Sequence, residues 1–289
     1  MIVGFAPGGG TDLTARPVAQ KLSELLGQQV IVENRPGAAG NIATEQVARA
    51  APDGYTLLMG TIAALAINPS LYGNLRFDPE TDLAPVIQVV DATNVLALHP
   101  NVQANSVKEL IALAREKSLS AGSSGIGATG HLSIELFNLM AGVKLVHVPY
   151  KGGGPAMSDL VGGQVNLIFA TTASSISHLK SGRIKGIAVT TAKRSALLPD
   201  LPTISEAGLP GFDANNWYGL VVPAKTPRAI IDQLNAEVTK VLNMPDVKAT
   251  LFNQGLDPAP GTPEQFGAYI KSERVKWARV IKESGAKAE

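Results

Sequence analysis

The segment Phe5-Ala6-Pro7-Gly8-Gly9-Gly10-Thr11-Asp12 separates a short apolar stretch from a helical pattern. Ile2 to Ala6 is predicted as a buried strand, and Leu13 to Leu26 as a helix that ends at Gly27, with Thr11 as its N-cap. A glycine-rich loop between a strand and a helix lets an anion approach the N–H groups at the helix start. The segment therefore predicts an α/β fold with a candidate anion site.

The same alternation continues along the first hundred residues. A strand is predicted at Val30 to Val32, a helix at Asn41 to Ala51 and a third strand at Tyr55 to Met59. A β-α-β-α-β order predicts a parallel sheet with helices on its faces. Two more apolar strands follow, Val86 to Val90 and Val95 to Leu98.

The pattern restarts after Pro100. The glycine-rich stretch Ala121 to His131 follows a short strand predicted within Ser118 to Ser123, and it opens a helix predicted at His131 to Met140. Further strands are predicted at Leu145 to Val148, Val165 to Phe169, Ile187 to Val189 and Tyr218 to Val222. Two amphipathic helices close the chain. We therefore expect two α/β lobes: residues 1–98 with 221–289, and residues 99–220 as an inserted lobe.

Composition excludes several classes of protein. A chain of 289 residues fits two domains at about 150 residues each. Its 25 Lys and Arg residues balance 24 Asp and Glu residues, which argues against a nucleic-acid binder. The absence of cysteine excludes disulfides, a thiol nucleophile and thiolate metal sites. No stretch reaches the roughly 18 apolar residues of a membrane span.

The first glycine-rich loop does not fit a nucleotide site. Gly8 and Gly10 give G-x-G, and Glu33 ends the next predicted strand, but Leu13 occupies the third glycine position. The Asp12 carboxylate would repel a pyrophosphate, so this residue is expected to stabilise its helix start or to hold the loop through backbone N–H groups. The signatures of common hydrolases are absent too, so we predict no catalytic residue, metal or cofactor.

Some polar and aromatic residues allow two interpretations. His131 can face the site or bond to local backbone, whereas His147, in a strand, is better explained as a structural histidine. Trp217 and Tyr218 can line a pocket or fill the core. The sequence alone leaves these alternatives open.

Six motifs together identify a resemblance that covers nearly the whole chain. They are VGFAPGGGTDLTAR (Val3 to Arg16), VENRPGAAGNIA (Val32 to Ala43), APDGYTLLMGT (Ala51 to Thr61), HVPYKGGGPA (His147 to Ala156), LPTISEAGLPGF (Leu201 to Phe212) and WYGLVVPAKTP (Trp217 to Pro227). With them the chain resembles the Bug-type extracytoplasmic solute receptors, the TctC-like binding component of tripartite tricarboxylate transporters.

The resemblance implies a periplasmic binding protein fold of type II, with two α/β lobes, a ligand cleft between them and two crossover segments. It implies capture of a small carboxylate, a dicarboxylate or an aromatic acid, by hinge closure, and delivery to the transporter's membrane subunits. We expect a periplasmic monomer whose signal peptide is absent from this chain. An oxidoreductase using the broken G-x-G loop and a ligand-sensing module for a membrane signalling partner are the alternatives.

The resemblance also implies a set of ligand-binding residues. They are Phe5, Ala6, Gly8, Gly9, Gly10, Thr11, Asp12 and Thr61 in the first lobe, and Ser123, Gly127, Ala128, Thr129, His131, Ala170 and Thr171 in the second. Similar proteins often carry an acidic residue at the position of Ala170. An alanine there argues against an amino-acid ligand and suits an apolar ligand body.

Overall fold

The structure, a computed structural model, describes residues 1–288. The chain forms two compact units. Unit 1 comprises Met1–Asp91 and Trp217–Ala278 with Ala288, and unit 2 comprises Ala92–Asn216 with Arg279–Lys287.

The strands and helices alternate along most of the chain. The strands are β1 (Ile2–Val3), β2 (Glu33–Asn34), β3 (Leu58–Thr61), β4 (Leu83–Ala92), β5 (Asn94–Leu98), β6 (Ser120–Ser123), β7 (Val146–Pro149), β8 (Leu167–Thr171), β9 (Lys185–Val189), β10 (Asn216–Pro223) and β11 (Leu256–Pro258). The helices are α1 (Gly10–Leu26), α2 (Asn41–Ala48), α3 (Asn68–Leu71), α4 (Val107–Glu116), α5 (Thr129–Ala141), α6 (Gly153–Val161), α7 (Thr172–Lys180), α8 (Ile204–Ala207), α9 (Arg228–Asn243), α10 (Pro245–Asn253) and α11 (Pro263–Ser284). A 3₁₀ turn at Ala38–Gly40 precedes α2, and a π-helical turn at Ala63–Ile67 precedes α3.

Unit 1 is built on a six-stranded sheet in the order β11-β4-β10-β3-β1-β2. β1 pairs in parallel with β2 and β3, which confirms the β-α-β-α-β prediction. β10 is distant from β3 in the sequence. It pairs antiparallel to β3 and places Tyr218 opposite Thr61. The end of β3 therefore lies beside the start of β10, and β1 lies on the other side of β3.

Unit 2 is built on a five-stranded sheet in the order β7-β6-β8-β5-β9. β6 pairs in parallel with β7 and β8, whereas β5 runs antiparallel to β8 and β9. The carboxyl ends of parallel strands share one edge, and in α/β sheets this edge carries ligand sites. The glycine-rich loop after β6 lies at this edge.

Each unit has its own core. In unit 1 the fully buried Trp217 packs edge-on against Phe266 of α11, with ring centroids 5.4 Å apart, and its ring also contacts Tyr269. This settles the alternatives for Trp217 in favour of the core. In unit 2 Phe137 of α5 packs against Phe169 of β8 with ring centroids 5.9 Å apart. In each unit an aromatic contact holds a helix against the sheet, and a candidate site loop lies next to that sheet.

The structure corrects several predicted element bounds. The first strand is Ile2–Val3 instead of Ile2 to Ala6, and the third is Leu58–Thr61 instead of Tyr55 to Met59. The second strand is Glu33–Asn34 instead of Val30 to Val32, because its partner β1 begins at Ile2 and pairs Ile2 with Glu33. α1 begins at Gly10 with Gly9 as N-cap, so Thr11 is not the cap; the Leu13 N–H already bonds to the Gly9 carbonyl at 2.9 Å. α5 likewise begins before His131, at Thr129.

Candidate functional site

The first glycine-rich loop presents backbone at the start of α1. Residues 6–9 are exposed, and Gly8 adopts a left-handed φ of 81° that disfavours other residues. Because Gly9 has no side chain with which to cap the helix, the N–H groups of the first turn are donors for an outside acceptor. The loop is therefore suited to hold an anion with neutral backbone donors.

Asp12 lies behind this loop and holds it in place. Its buried carboxylate accepts hydrogen bonds from the Gly8 N–H, the Arg16 guanidinium and the Asn34 side chain, each at 2.9 Å. The same Asn34 amide donates to the Phe5 carbonyl at 2.9 Å, which ties β2 to the loop. Asp12 therefore acts on the loop through backbone N–H bonding, one of the two roles expected for it.

The charge of Asp12 is stabilised despite its burial. Burial alone would raise the pKa of this carboxyl, but the hydrogen bonds from Arg16, Gly8 and Asn34 and the positive charge of Arg16 outweigh burial and hold the pKa below its usual range. Because Arg16 is paired with Asp12 at 2.9 Å, its charge is largely neutralised beside the loop.

Thr61 and Tyr218 lie next to the first loop. Thr61 ends β3, is buried, and stands opposite Tyr218 in the sheet. A Cβ added to Gly10 would meet the Tyr218 hydroxyl at 2.6 Å, so this hydroxyl sits against the start of α1. Unit 1 thus brings together Thr61 and the predicted loop residues from Phe5 to Asp12, and adds Tyr218.

The second glycine-rich loop has the same strand–loop–helix form. It runs from the end of β6 to Ala128, the N-cap of α5, which has no side-chain oxygen. Gly125 and Gly127 adopt φ values of 132° and 82°. A Cβ added to Gly130 would come within 2.7 Å of the Phe169 carbonyl, so the start of α5 packs tightly on the middle of β8. Tight turns and a close helix approach both require glycine here.

Two histidines and a serine form a connected cluster behind this loop. The buried Ser123 Oγ lies 2.6 Å from Nε2 of His147 and accepts a hydrogen bond from the Gly125 N–H at 3.1 Å. The rings of His131 and His147 stack with centroids 4.2 Å apart and an interplanar angle of 17°. His131 Nδ1 accepts from the Gly127 N–H at 3.2 Å, so His131 bonds to local backbone.

Both imidazoles are neutral near pH 7. Burial lowers the pKa of His147 to about 4, and burial together with the neighbouring His147 lowers the pKa of His131 to about 4. Glu135, whose Oε1 lies 3.8 Å from His131 Nε2, has its pKa raised by burial. A neutral cluster can organise hydrogen-bond donors without supplying a counter-charge.

The remaining predicted residues occupy different environments. Thr129 is half-buried at the first position of α5. Thr171 is half-buried at the end of β8, with its Oγ1 3.0 Å from the Ser174 hydroxyl. Ala170 is buried in a core cluster of unit 2 that includes Val95. Unit 2 therefore brings the loop, Thr129 and Thr171 to one edge, with Ala170 packed behind it.

The predicted set of site residues leaves out three residues that organise these loops. Asn34, His147 and Tyr218 each contact a glycine-rich loop from a neighbouring strand; His147 was expected to be structural, and Tyr218 was expected to line a pocket or fill the core. All three lie within motifs already quoted, which is the signal that could have marked them. Within residues 1–288, no cluster of three or more His, Asp or Glu side chains is placed to hold a metal ion, and no helix is long and apolar enough to cross a membrane.

Similar solved structures define the class of protein. Rpa4515 of R. palustris, solved with adipate, has a TM-score of 0.93 and 39% identity, covering 99% of this chain and 97% of that one. The periplasmic binding protein BugD has a TM-score of 0.91 and 36% identity, covering 100% and 98%. MatC (Rpa3494) of Rhodopseudomonas palustris, solved with bound malate, has a TM-score of 0.89 and 31% identity, covering 97% of each chain. The fold is that of a type II periplasmic binding protein, as predicted.

The family follows from the sequence match. The family described as tripartite tricarboxylate transporter family receptor, TctC, matches residues 14–286, and the chain belongs to it. The chain is a solute-binding receptor, and its family is one of receptors rather than enzymes. The oxidoreductase alternative is therefore wrong.

Proposed function

We propose that this receptor captures a small dicarboxylate in the periplasm and delivers it to the membrane subunits of a tripartite tricarboxylate transporter. The observation that carries the proposal is that two similar receptors are described with dicarboxylates, adipate and malate. The family description supplies the transporter partner. An aromatic acid is the competing ligand class.

The donor chemistry of the two loops supports a carboxylate. In unit 1 the donors are the backbone N–H groups of Gly9 to Asp12 with the Thr61 hydroxyl, while the Gly8 N–H is already bonded to the Asp12 carboxylate. In unit 2 they are the Ser123 to Thr129 loop, with the hydroxyls of Thr129 and Thr171, while His131 supports the loop from behind. Hydrogen bonds to an ionised acceptor are stronger than neutral ones, so several neutral donors suffice to hold one carboxylate.

Ligand capture by closure of the receptor follows when the ligand bonds to donors on both units. A ligand that bonds to both loops favours the conformation in which both reach it, and this shifts the population toward a closed receptor. The remaining predicted contacts, Phe5 and Ala6, would then surround the apolar part of the ligand, whereas Ala170 is packed in the core of unit 2.

Calorimetry with matched acids tests the proposal. We expect adipate or malate to bind to the purified protein, with acetate and benzoate much weaker. Thr129→Ala should weaken binding by about 1–3 kcal/mol, because one hydrogen bond to a charged oxygen is lost. Thr129→Ser keeps the hydroxyl and should restore most of the affinity. Tight benzoate binding without any dicarboxylate binding would overturn the ligand class, and an unchanged affinity in Thr129→Ala would overturn the site.

A further inference from the structure

Ser123 occupies the junction between β6 and the second glycine-rich loop. Its hydroxyl bridges the loop by accepting from the Gly125 N–H at 3.1 Å and facing the Gly125 carbonyl at 3.2 Å. The Nε2 atom of His147 approaches the same hydroxyl more closely, at 2.6 Å. The orientation of the hydroxyl proton therefore depends on this imidazole.

His147 reaches Ser123 from the neighbouring strand. β7 pairs in parallel with β6, and the register sets His147 opposite Ala121. From this position the ring also stacks on His131, which receives the Gly127 N–H. One imidazole is thus connected to both glycines of the loop, to Gly125 through Ser123 and to Gly127 through His131.

The protonation states of the two imidazoles determine which hydrogen bonds Ser123 can make. Because His131 accepts at Nδ1, its neutral ring carries the proton on Nε2, which faces Glu135. A neutral His147 has one donor and one acceptor nitrogen, so its Nε2 can either accept from Ser123 or donate to it. Ser123 can therefore turn its proton toward an incoming carboxylate while His147 changes tautomer, with no change in net charge.

We propose that His147 is a positioning residue of the second loop: it holds the Ser123 hydroxyl and, through the ring stack, His131, so that the loop's donors are preset for an anion. The ligand part of this inference rests on the proposed function. The loop part does not, because it is argued only from contacts within the chain.

Two complementary variants separate the hydrogen bond from the stack. His147→Phe keeps a ring against His131 but removes the nitrogen, whereas His147→Gln keeps an amide near Nε2 and removes the ring. His99→Phe, at the residue that directly follows β5, is the matched control. In the ligand-free protein we expect amide exchange of Gly125 to rise about tenfold in His147→Phe, which loses the nitrogen, and exchange of Gly127 to rise in His147→Gln, which loses the stack on His131; both should stay near wild type in His99→Phe.

Binding then tests the role toward the ligand. We expect His147→Phe to weaken dicarboxylate binding about tenfold, His147→Gln to restore most of it, and Ser123→Ala to add no further loss in the His147→Phe background, because the two residues act as one unit. Equal defects in the Phe and Gln variants, or additive losses with Ser123→Ala, would overturn the proposal.

Two outcomes distinguish this inference from the proposed function. If the wild-type protein binds no carboxylate but glycine exchange responds as expected, the proposed function fails and the positioning of the loop stands. If His147→Phe does not fold, the ¹⁵N shifts of His147 in the wild type decide. A neutral imidazole that shifts its Nε2 signal on adding adipate supports the proposal, and a charged or unresponsive ring overturns it.

Discussion

At the scale of single residues, the buried carboxylate of Asp12 determines the shape of the first loop. It accepts from three different segments, the loop itself, α1 and β2, at 2.9 Å each. A buried acceptor with several donors is costly to replace, because each donor then loses its partner. The Asp12 carboxylate, which on sequence grounds would repel an anion, is already hydrogen-bonded to donors of the protein itself.

Replacing this carboxylate should destabilise unit 1. Asp12→Asn places an amide donor against existing donors, and we expect the free energy of unfolding to fall by about 1–3 kcal/mol. Both tryptophans of the chain, Trp217 and Trp277, lie in unit 1, so urea unfolding followed by tryptophan fluorescence reports this unit. Glu33→Gln, which removes an exposed carboxylate paired with Arg35, is the control and should change stability by less than about 1 kcal/mol. Equal effects of the two changes would contradict the role of Asp12.

At the scale of elements, most of the order of strands and helices could be predicted, but α10 and β11, which lie between the two closing helices, and part of the bounds could not. Apolar periodicity located the parallel strands and the helices after each glycine-rich loop. The strand expected at Val30 to Val32 lies instead at Glu33–Asn34, because register depends on where the partner strand begins. For the same reason the contact of His147 with Ser123, 24 residues apart, was not predictable from either motif alone.

The close approach of α5 to β8 leads to a prediction for the element as a whole. Gly130, the second residue of α5, leaves no room for a Cβ beside the Phe169 carbonyl at 2.7 Å. Gly130→Ala should therefore destabilise unit 2 by about 1–3 kcal/mol, because backbone must shift. Gly154, the second residue of α6, has open space around it, so Gly154→Ala should be neutral or stabilise by up to about 1 kcal/mol. Thermal unfolding by circular dichroism compares the two; a neutral Gly130→Ala would contradict the tight packing.

At the scale of the whole molecule, the two units carry buried groups that titrate in different pH ranges. Folded His131 and His147 take up protons near pH 4, whereas unfolded histidines do so near pH 6.5. As pH falls between these values the unfolded state binds more protons, so unit 2 loses stability. Glu135, with its raised pKa, offsets part of this loss. Asp12 titrates at lower pH than the histidines. Its contribution to the stability of unit 1 is present above about pH 4 and is lost only as pH falls through its depressed pKa.

Acid should therefore unfold unit 2 before unit 1. We expect far-ultraviolet circular dichroism to change first between about pH 6.5 and 4, because both units contribute to it, while tryptophan fluorescence from unit 1 changes only at lower pH. His147→Gln removes one of the two neutral imidazoles and should make the first transition shallower, whereas His99→Gln should leave it unchanged. Coincident transitions by both probes in the wild type would show that the histidine pair does not set the acid stability of unit 2.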